Sequence, residues 1–319
     1  MVRFLIRRLA LGLLVLWLIT VAVFGLFFVA PNDVARTLAG RQATPETVAA
    51  ISHRLGLDQP LWKQYLDFVG NALHGDLGFD YYHQVPVTRI LGAALPVTIS
   101  LVIGAALIWL GLGVFNGVVS ATHPRSFTDR SLTAMSLFFY STPTFLLGIL
   151  LLYVLYFRLT LAGHSAFPAG GYAPFAGGVG GWVQHLVLPW FTLALVSAAT
   201  YTRLTRASML DVLSEDYIRT ARSKGIGERR VVLRHGLRAA LTPIVTQFGI
   251  DVGTLLGGVV VTETVFSLPG LGKTAIDAIN QQDLPVIIGI VLFASAAVVL
   301  ANILVDLAYA VLDPRVRLH

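Results

Sequence analysis

The residue of this chain best suited to polar chemistry is an acid inside a long apolar run. Asp251 lies about midway along that run, and Gln247 precedes it by one helical turn. A carboxylate in a bilayer costs about 2.5–3.5 kcal/mol on insertion scales, so it should face other helices or a wet cavity. Two interpretations stay open: a pathway group that contacts a peptide's amino end or a cation, and a structural hydrogen bond to a neighbouring helix or to a polar residue such as Gln247 in the same span. Glu263, at the outer end of the run, is expected to gate the mouth, meet a receptor, or lie at the membrane surface.

The motif Gly272-Lys273-Thr274 has the ending of a phosphate-binding loop but not its beginning. A complete loop needs a glycine five residues before Gly272, and Ser267 stands there. The eight histidines show no metal-ligand spacing, and the absence of cysteine excludes thiolate metal sites and thiol redox chemistry. The sequence therefore predicts a non-catalytic chain with no nucleotide, cofactor or metal site of its own.

The segment 203–238 concentrates basic residues between two apolar runs. It carries four acids and nine basic residues, which are Arg203, Arg206, Arg219, Arg222, Lys224, Arg229, Arg230, Arg234 and Arg238. Residues 213–233 can form two short helices broken near Gly225, with Glu215 and Asp216 at the N-terminus of the first. Such a compact projection can dock in a groove of a partner protein. The alternative is a basic loop held on anionic lipid headgroups.

The elements that carry these residues are membrane-spanning helices. Of the 319 residues, 55% are apolar and 13% charged, against roughly a quarter charged in soluble domains. Backbone groups in lipid must pair within their own segment, so the fold class is all-α, a polytopic bundle of one domain, residues 1–319. A span needs about 20 apolar residues, and the predicted spans are 9–30, 95–120, 131–157, 183–202, 239–262 and 284–305. The spacing Gly113-xxx-Gly117 lets helices approach closely.

The distribution of charge sets the orientation of the bundle. With both termini in the cytoplasm, sixteen of the 23 Lys and Arg residues fall on the inner side, as the positive-inside bias requires. The same clustering beside spans argues against nucleic acid as the partner of a chain with net charge +6. The outer loop, 31–94, is expected to hold two short surface helices, one from Thr44 to about Gly56 and one over 60–73.

Motifs along nearly the whole chain resemble the permease subunits of binding-protein-dependent ABC importers, in their dipeptide and oligopeptide branch. The inner segment holds Arg219-Thr-Ala-Arg-Ser-Lys-Gly225, similar to the docking motif of that family, although the usual start is Glu-Ala-Ala and the usual Leu-Pro end is displaced. The other motifs, in the family's order, are Gly56-Leu-Asp-Gln-Pro-Leu61, Gly75-Asp-Leu-Gly78, Leu95-Pro-Val-Thr98, Ser141-Thr-Pro143, Leu188-Pro189, Glu263-Thr-Val-Phe-Ser-Leu-Pro-Gly-Leu-Gly272 and Asp313-Pro-Arg315. The long first outer loop resembles the B-type subunit.

The resemblance implies a translocation subunit with the type I importer fold in the bacterial cytoplasmic membrane. Its implied partners are a C-type permease subunit, an extracytoplasmic peptide-binding protein, membrane lipid, and two ATP-binding subunits that hold ATP and Mg²⁺. The implied ATPase-docking residues are Glu215, Arg219, Ala221, Ser223, Lys224, Gly225, Ile226, Arg229 and Arg230. Gln247, Asp251 and Glu263 are the candidates for the translocation pathway.

Three other functions stay open. An importer of nickel or another small solute would share this permease form. A stand-alone secondary transporter would need inverted repeats and helices broken at the midplane, and the sequence shows neither clearly. An intramembrane aspartyl enzyme would need Asp251 and Asp306 at one depth, whereas their positions in the spans put them at different depths.

Overall fold

The computed structural model describes residues 2–29, 44–54, 58–80, 82–164 and 166–312. In these ranges the regular structure is helical apart from one isolated bridge between Phe79 and Pro86, which confirms the all-α prediction. Some predictions lie outside the described residues: the loop 31–43, the helix end at Gly56, the motif 313–315, and the side chain of Asp306.

The helices are numbered here in chain order. They are α1 (Val2–Phe24), α2 (Pro45–Arg54), α3 (Leu61–Leu73), α4 (Val87–Thr122), α5 (Phe127–Ser141), α6 (Thr144–Leu151), α7 (Val179–Leu213), α8 (Asp216–Ser223), α9 (Glu228–Arg230), α10 (Leu237–Val265), α11 (Leu271–Gln281) and α12 (Leu284–Leu312). Wider π-helical turns extend α1 through Gly25–Val29 and join α9 to α10 through Val231–Gly236. Another extends α6 through Leu152–Arg158 and is followed by one α-helical turn, Leu159–Leu161. The two predicted outer helices are present as α2 and α3.

Several of these helices are long and apolar enough to cross a membrane. Within the described part of the chain they are Ile6–Phe27, Val87–Thr122, Thr144–Leu161, Val179–Leu213 and Leu284–Ile303. The predicted span 239–262 lies inside α10. The chain is therefore a multi-pass helical bundle.

The predicted third span, 131–157, is wrong in its bounds because the helix breaks inside it. Thr142 has an extended backbone, with φ −87° and ψ 123°, and Pro143 precedes the first residue of α6. Proline has no N–H to donate, and its ring disfavours a helical conformation in the residue before it. Residues 127–141 thus form a separate helix, α5, and the apolar span begins at Thr144.

Contacts divide the chain into two compact units, of which the first joins residues 1–94 with 274–319. In this unit α1 lies along α12, and the outer helix α3 packs on α1. The Tyr65 ring of α3 meets the Phe24 ring of α1 edge-on, with 5.4 Å between centroids. The other face of α3 exposes Trp62 and Leu66, as an amphipathic helix at a membrane surface would.

The second unit, residues 95–273, has its core between α4, α7 and α10. Two glycines of α4 let α7 come close, because a Cβ at Gly113 would overlap Tyr201 and a Cβ at Gly117 would overlap Thr205. Tyr201 is fully buried at this contact. The close approach predicted from the spacing of the two glycines is confirmed. This packed core holds the functional residues described below.

Candidate functional site

The inner projection predicted to dock a partner is built on a turn that requires glycine. Gly225 has φ +76°, a region in which a side chain is strained. Its N–H donates to the Arg222 carbonyl at 2.9 Å, and the Ile226 N–H donates to the Ala221 carbonyl at 3.3 Å. These two bonds form a Schellman motif, in which glycine follows the closing residues of the helix. The Ala221-xxx-Gly225 spacing therefore has a structural cause, and the predicted break near Gly225 is confirmed.

An apolar cluster fastens this projection, here called the docking knob (residues 216–230), to the end of α7. Ile218, Ala221 and Val231 are buried and pack with Leu213 and Ile226. Leu213 is the last residue of α7, so the inner face of α8 is fixed to that helix. Two of the residues predicted for docking, Ala221 and Ile226, thus hold the knob together from inside.

The outward face of the docking knob is predominantly basic. The exposed residues among those predicted for docking are Glu215, Arg219, Ser223, Lys224, Gly225, Arg229 and Arg230. Across the glycine turn, Arg222 Nη2 lies 2.7 Å from Glu228 Oε1, and this hydrogen bond lowers the pKa of the Glu228 carboxyl. The knob is therefore one compact piece, closed by an ion pair outside and an apolar cluster inside.

The docking loop is shorter than the predicted segment 203–238. Residues 203–213 complete α7, and residues 231–238 are helical into α10. Helical hydrogen bonding of the chain thus continues well past the end of the apolar run, which hydropathy does not reveal. Arg206, counted as loop charge from the sequence, instead pairs with Asp129 of α5.

Asp129 is a candidate functional residue that sequence patterns did not identify. Its carboxylate accepts hydrogen bonds from Arg206 Nε at 2.7 Å and Arg206 Nη2 at 2.9 Å. It also accepts from the Ser120 hydroxyl and from the Arg125 N–H, the latter at 2.9 Å. The bonds from Arg206 and then Ser120 hold the pKa of the Asp129 carboxyl well below its usual range. Ser126 with Asp129 indicates a helix start, but no local pattern indicates a partner 77 residues away.

Asp251 is held by two neutral donors in the second unit. The Tyr201 hydroxyl donates to Oδ2 at 2.7 Å, and Gln247 Nε2 donates to Oδ1 at 2.8 Å. The structural interpretation anticipated both bonds, one from a neighbouring helix, here α7, and one from Gln247 in the same span. Asp251 is half-buried, and Glu263 lies three helical turns further, about 18 Å along α10. The three candidate pathway residues therefore do not form one cluster.

Glu263 is completely buried, so the prediction of an acid at the membrane surface is wrong. Thr98 Oγ1 donates to its Oε1 at 2.6 Å, and the Lys273 N–H donates to its Oε2 at 3.0 Å. The Thr98 hydroxyl in turn accepts the Leu271 N–H at 2.9 Å. These donors compensate the cost of burying a carboxylate, which no sequence pattern shows. Glu263 thereby ties the returning loop 266–273 to α4.

Comparison with known proteins gives matches over nearly the whole chain. Residues 113–318 match the family model described as a binding-protein-dependent transport system inner membrane component, and residues 1–102 match the model of its N-terminal region. A probable peptide ABC transporter permease protein of Sinorhizobium fredii is 39% identical over 314 residues, 98% of this chain and 99% of that protein. A putative peptide transport system permease protein of Brucella abortus is 40% identical over 317 residues, 99% of each. The dipeptide transport system permease protein DppB of Escherichia coli is 37% identical over 336 residues, 99% of each.

These matches agree with a helical bundle in which the buried carboxylates of Asp129 and Glu263 are hydrogen-bonded to groups of the chain itself. Members of this family are non-catalytic membrane subunits, and ATP hydrolysis belongs to separate subunits of the transporter. The chain is thus a permease subunit that works with other subunits of an ABC import system. It belongs to the family of binding-protein-dependent transport system inner membrane components.

Proposed function

We propose that this chain is a permease subunit for the import of di- or oligopeptides across the bacterial cytoplasmic membrane. The observation that carries the proposal is full-length similarity, at 37–40% identity, to relatives named as peptide or dipeptide permeases. A C-type permease subunit, an extracytoplasmic peptide-binding protein and two ATP-binding subunits complete the complex. ATP and Mg²⁺ bind to the ATP-binding subunits.

The docking knob contacts one ATP-binding subunit in this proposal. Its support is the combination of an exposed basic face with a rigid interior, because a rigid projection can follow a moving groove without deforming. When ATP binding closes the two ATPases, the knob moves with them. The spans then reorient, so that the pathway closes on one side of the membrane and opens on the other. Ser223, Lys224, Arg229 and Arg230 are the exposed contact residues around the turn.

The pathway for the peptide passes Asp251 and Gln247 in this proposal. The Asp251 carboxylate is oriented by Tyr201 and Gln247 yet remains partly accessible, so it can accept a hydrogen bond from a passing amino group. Glu263 acts on the pathway indirectly, because its carboxylate holds the outer loop 266–273 in place. Selection among peptides is left mainly to the peptide-binding protein.

A single-cysteine cross-link tests the docking contact. The chain has no cysteine, so Ser223→Cys, at an exposed position of the docking knob, gives one reactive thiol. With a short thiol-reactive cross-linker in native membranes, we expect an adduct with an ATP-binding subunit, identified by mass spectrometry. Ala176→Cys is the matched control and should give no such adduct, because this exposed residue lies between the third and fourth predicted spans, on the outer side in the predicted orientation. An adduct with lipid alone at Ser223→Cys would refute docking in favour of a lipid-bound loop.

Substrate class is tested by uptake into proteoliposomes that contain the complete importer. We expect ATP-dependent uptake of a labelled dipeptide only when the peptide-binding protein is present. Competition by unlabelled di- and tripeptides, with none from nickel ions, would support the proposed substrate. Uptake of labelled nickel without peptide competition would refute it.

A further inference from the structure

Asp129 joins three elements of the second unit through one carboxylate. It lies in the first turn of α5, accepts the hydroxyl of Ser120 near the end of α4, and accepts both donors of Arg206 on α7. The Asp129 side chain is 6% exposed and the Arg206 side chain 32%. A two-point Arg–carboxylate contact fixes direction as well as distance, since both N–H groups must stay aligned with both oxygens. The position of α5 is therefore tied to that of α7.

The same stretch of α7 is tied to the docking knob. Arg206 lies two helical turns before Leu213, whose side chain packs with Ile218 and Val231 of the knob cluster. Met209, between them, is fully buried and packs with Val232. The knob, the end of α7 and α5 thus form one continuous line of contacts. If the knob is displaced, either the end of α7 moves with it or the apolar cluster between the knob and Leu213 is broken.

Helix α5 ends at a defined break, Thr142–Pro143. Thr142 is extended and Pro143 cannot donate a helical hydrogen bond, so α5 is not part of the hydrogen-bonded ladder of α6. Arg203, one turn before Arg206, lies 5.6 Å from the centre of the Tyr140 ring near that end. The break thus gives α5 a point at which its direction can change relative to α6 when α5 follows α7.

We propose that the Asp129–Arg206 ion pair is the positioning link that transmits displacement of the docking knob into α5. The proposal rests on the proposed docking of an ATP-binding subunit at the knob. Neither residue contacts ATP or the transported solute; both act through the helices that they join. When the Asp129–Arg206 ion pair is broken, the peptide-loaded binding protein should still stimulate ATP hydrolysis, but transport of the peptide should be lost.

The test is the number of ATP molecules hydrolysed per peptide taken up, in proteoliposomes that hold the complete importer. For Asp129→Asn we expect uptake to fall about tenfold while stimulated ATPase activity stays within about twofold of wild type, so the ratio rises. Arg206→Met should give the same ratio, and the double variant should be no worse than either single variant, because all three break one contact. Arg130→Gln, which removes an exposed charge next to Asp129, should keep the wild-type ratio.

Uptake and ATPase activity that fall in parallel in Asp129→Asn, with an unchanged ratio, would show a role in folding alone and overturn the link. Arg206→Lys keeps the charge but only one point of contact, so it should give an intermediate number of ATP molecules hydrolysed per peptide. If Asp129→Asn does not assemble, Arg206→Lys is used in its place. The proposed function fails separately, and visibly, if the wild-type complex hydrolyses ATP without taking up peptide.

Discussion

At the scale of single residues, the two glycines of the docking knob differ in whether a residue with a side chain could replace them. Gly225 has φ +76°, whereas Gly227 has φ −58°, which any residue adopts. We expect Gly225→Val to cost about 1–2 kcal/mol or more in the knob, because a branched side chain is strained in the left-handed region. Cross-linking from Ser223→Cys to the ATP-binding subunit should then fall several-fold. Gly227→Ala is the matched control, and equal loss in both variants would contradict the argument.

Asp129 gives a prediction about pH. Because Arg206 lowers the pKa of its carboxyl in the folded protein, its stabilising contribution is present above the unfolded pKa of about 4. That contribution is lost as pH falls towards the lower, folded pKa. Thermal unfolding in detergent should show Asp129→Asn less stable than wild type at pH 7, by about 1.5–3 kcal/mol. The difference in unfolding free energy between wild type and Asp129→Asn should shrink at pH 3. A difference that does not change with pH would argue against a charged pair.

At the scale of elements, prolines show what sequence could predict and what it could not. Pro96, Pro189 and Pro243 lie inside α4, α7 and α10, whereas Pro143 separates α5 from α6. Hydropathy predicted apolar runs that lie in the helices α1, α4, α7, α10 and α12. Composition alone does not tell which proline ends a helix, since neighbouring helices can re-pair the freed backbone groups. The break after α8 was predictable because a local hydrogen-bond pattern requires its glycine.

The bonds that sequence analysis missed connect distant parts of the chain. Asp129 and Arg206 are 77 residues apart, and Thr98 and Glu263 are 165 apart. Neither pair has a local spacing, so the acid in each looked like loop or surface charge. The residues predicted for docking could be selected from the sequence because they are contiguous, whereas the interior positions of Ala221 and Ile226 appear only in the folded knob.

The loop 266–273 gives a prediction at this same scale. Glu263→Gln keeps one oxygen acceptor but turns an N–H₂ group toward donors, so it cannot satisfy both Thr98 and the Lys273 N–H. We expect the backbone amides of 271–273 to exchange hydrogen at least about tenfold faster, as the loss of about 1.5–3 kcal/mol in charged hydrogen bonds requires. Thr264→Ala, at an exposed neighbour on α10, is the control. Unchanged exchange in Glu263→Gln would mean that the loop is held by its apolar contacts.

At the scale of the whole molecule, family membership separates an ABC permease subunit from a transporter that works alone. A stand-alone transporter must couple an ion gradient to its solute through groups of its own, whereas a permease subunit depends on the other subunits of its ABC import system. We therefore expect the purified chain in liposomes to take up no labelled dipeptide under a proton or sodium gradient. Addition of the partner permease, the ATP-binding subunits and the peptide-binding protein should give uptake that requires ATP.

A matched comparison makes this prediction decisive, because an inactive preparation would also show no uptake alone. The same preparation of the chain is divided into two halves, of which one is reconstituted alone and the other with its partners. Uptake by the second half then shows that the chain in the first half was correctly folded and competent. Gradient-driven uptake by the chain alone would contradict the dependence on partners. Gly225→Val should abolish uptake in the complete importer without exposing any gradient-driven uptake, because the strain at the glycine turn disturbs only the contact through which the chain is driven.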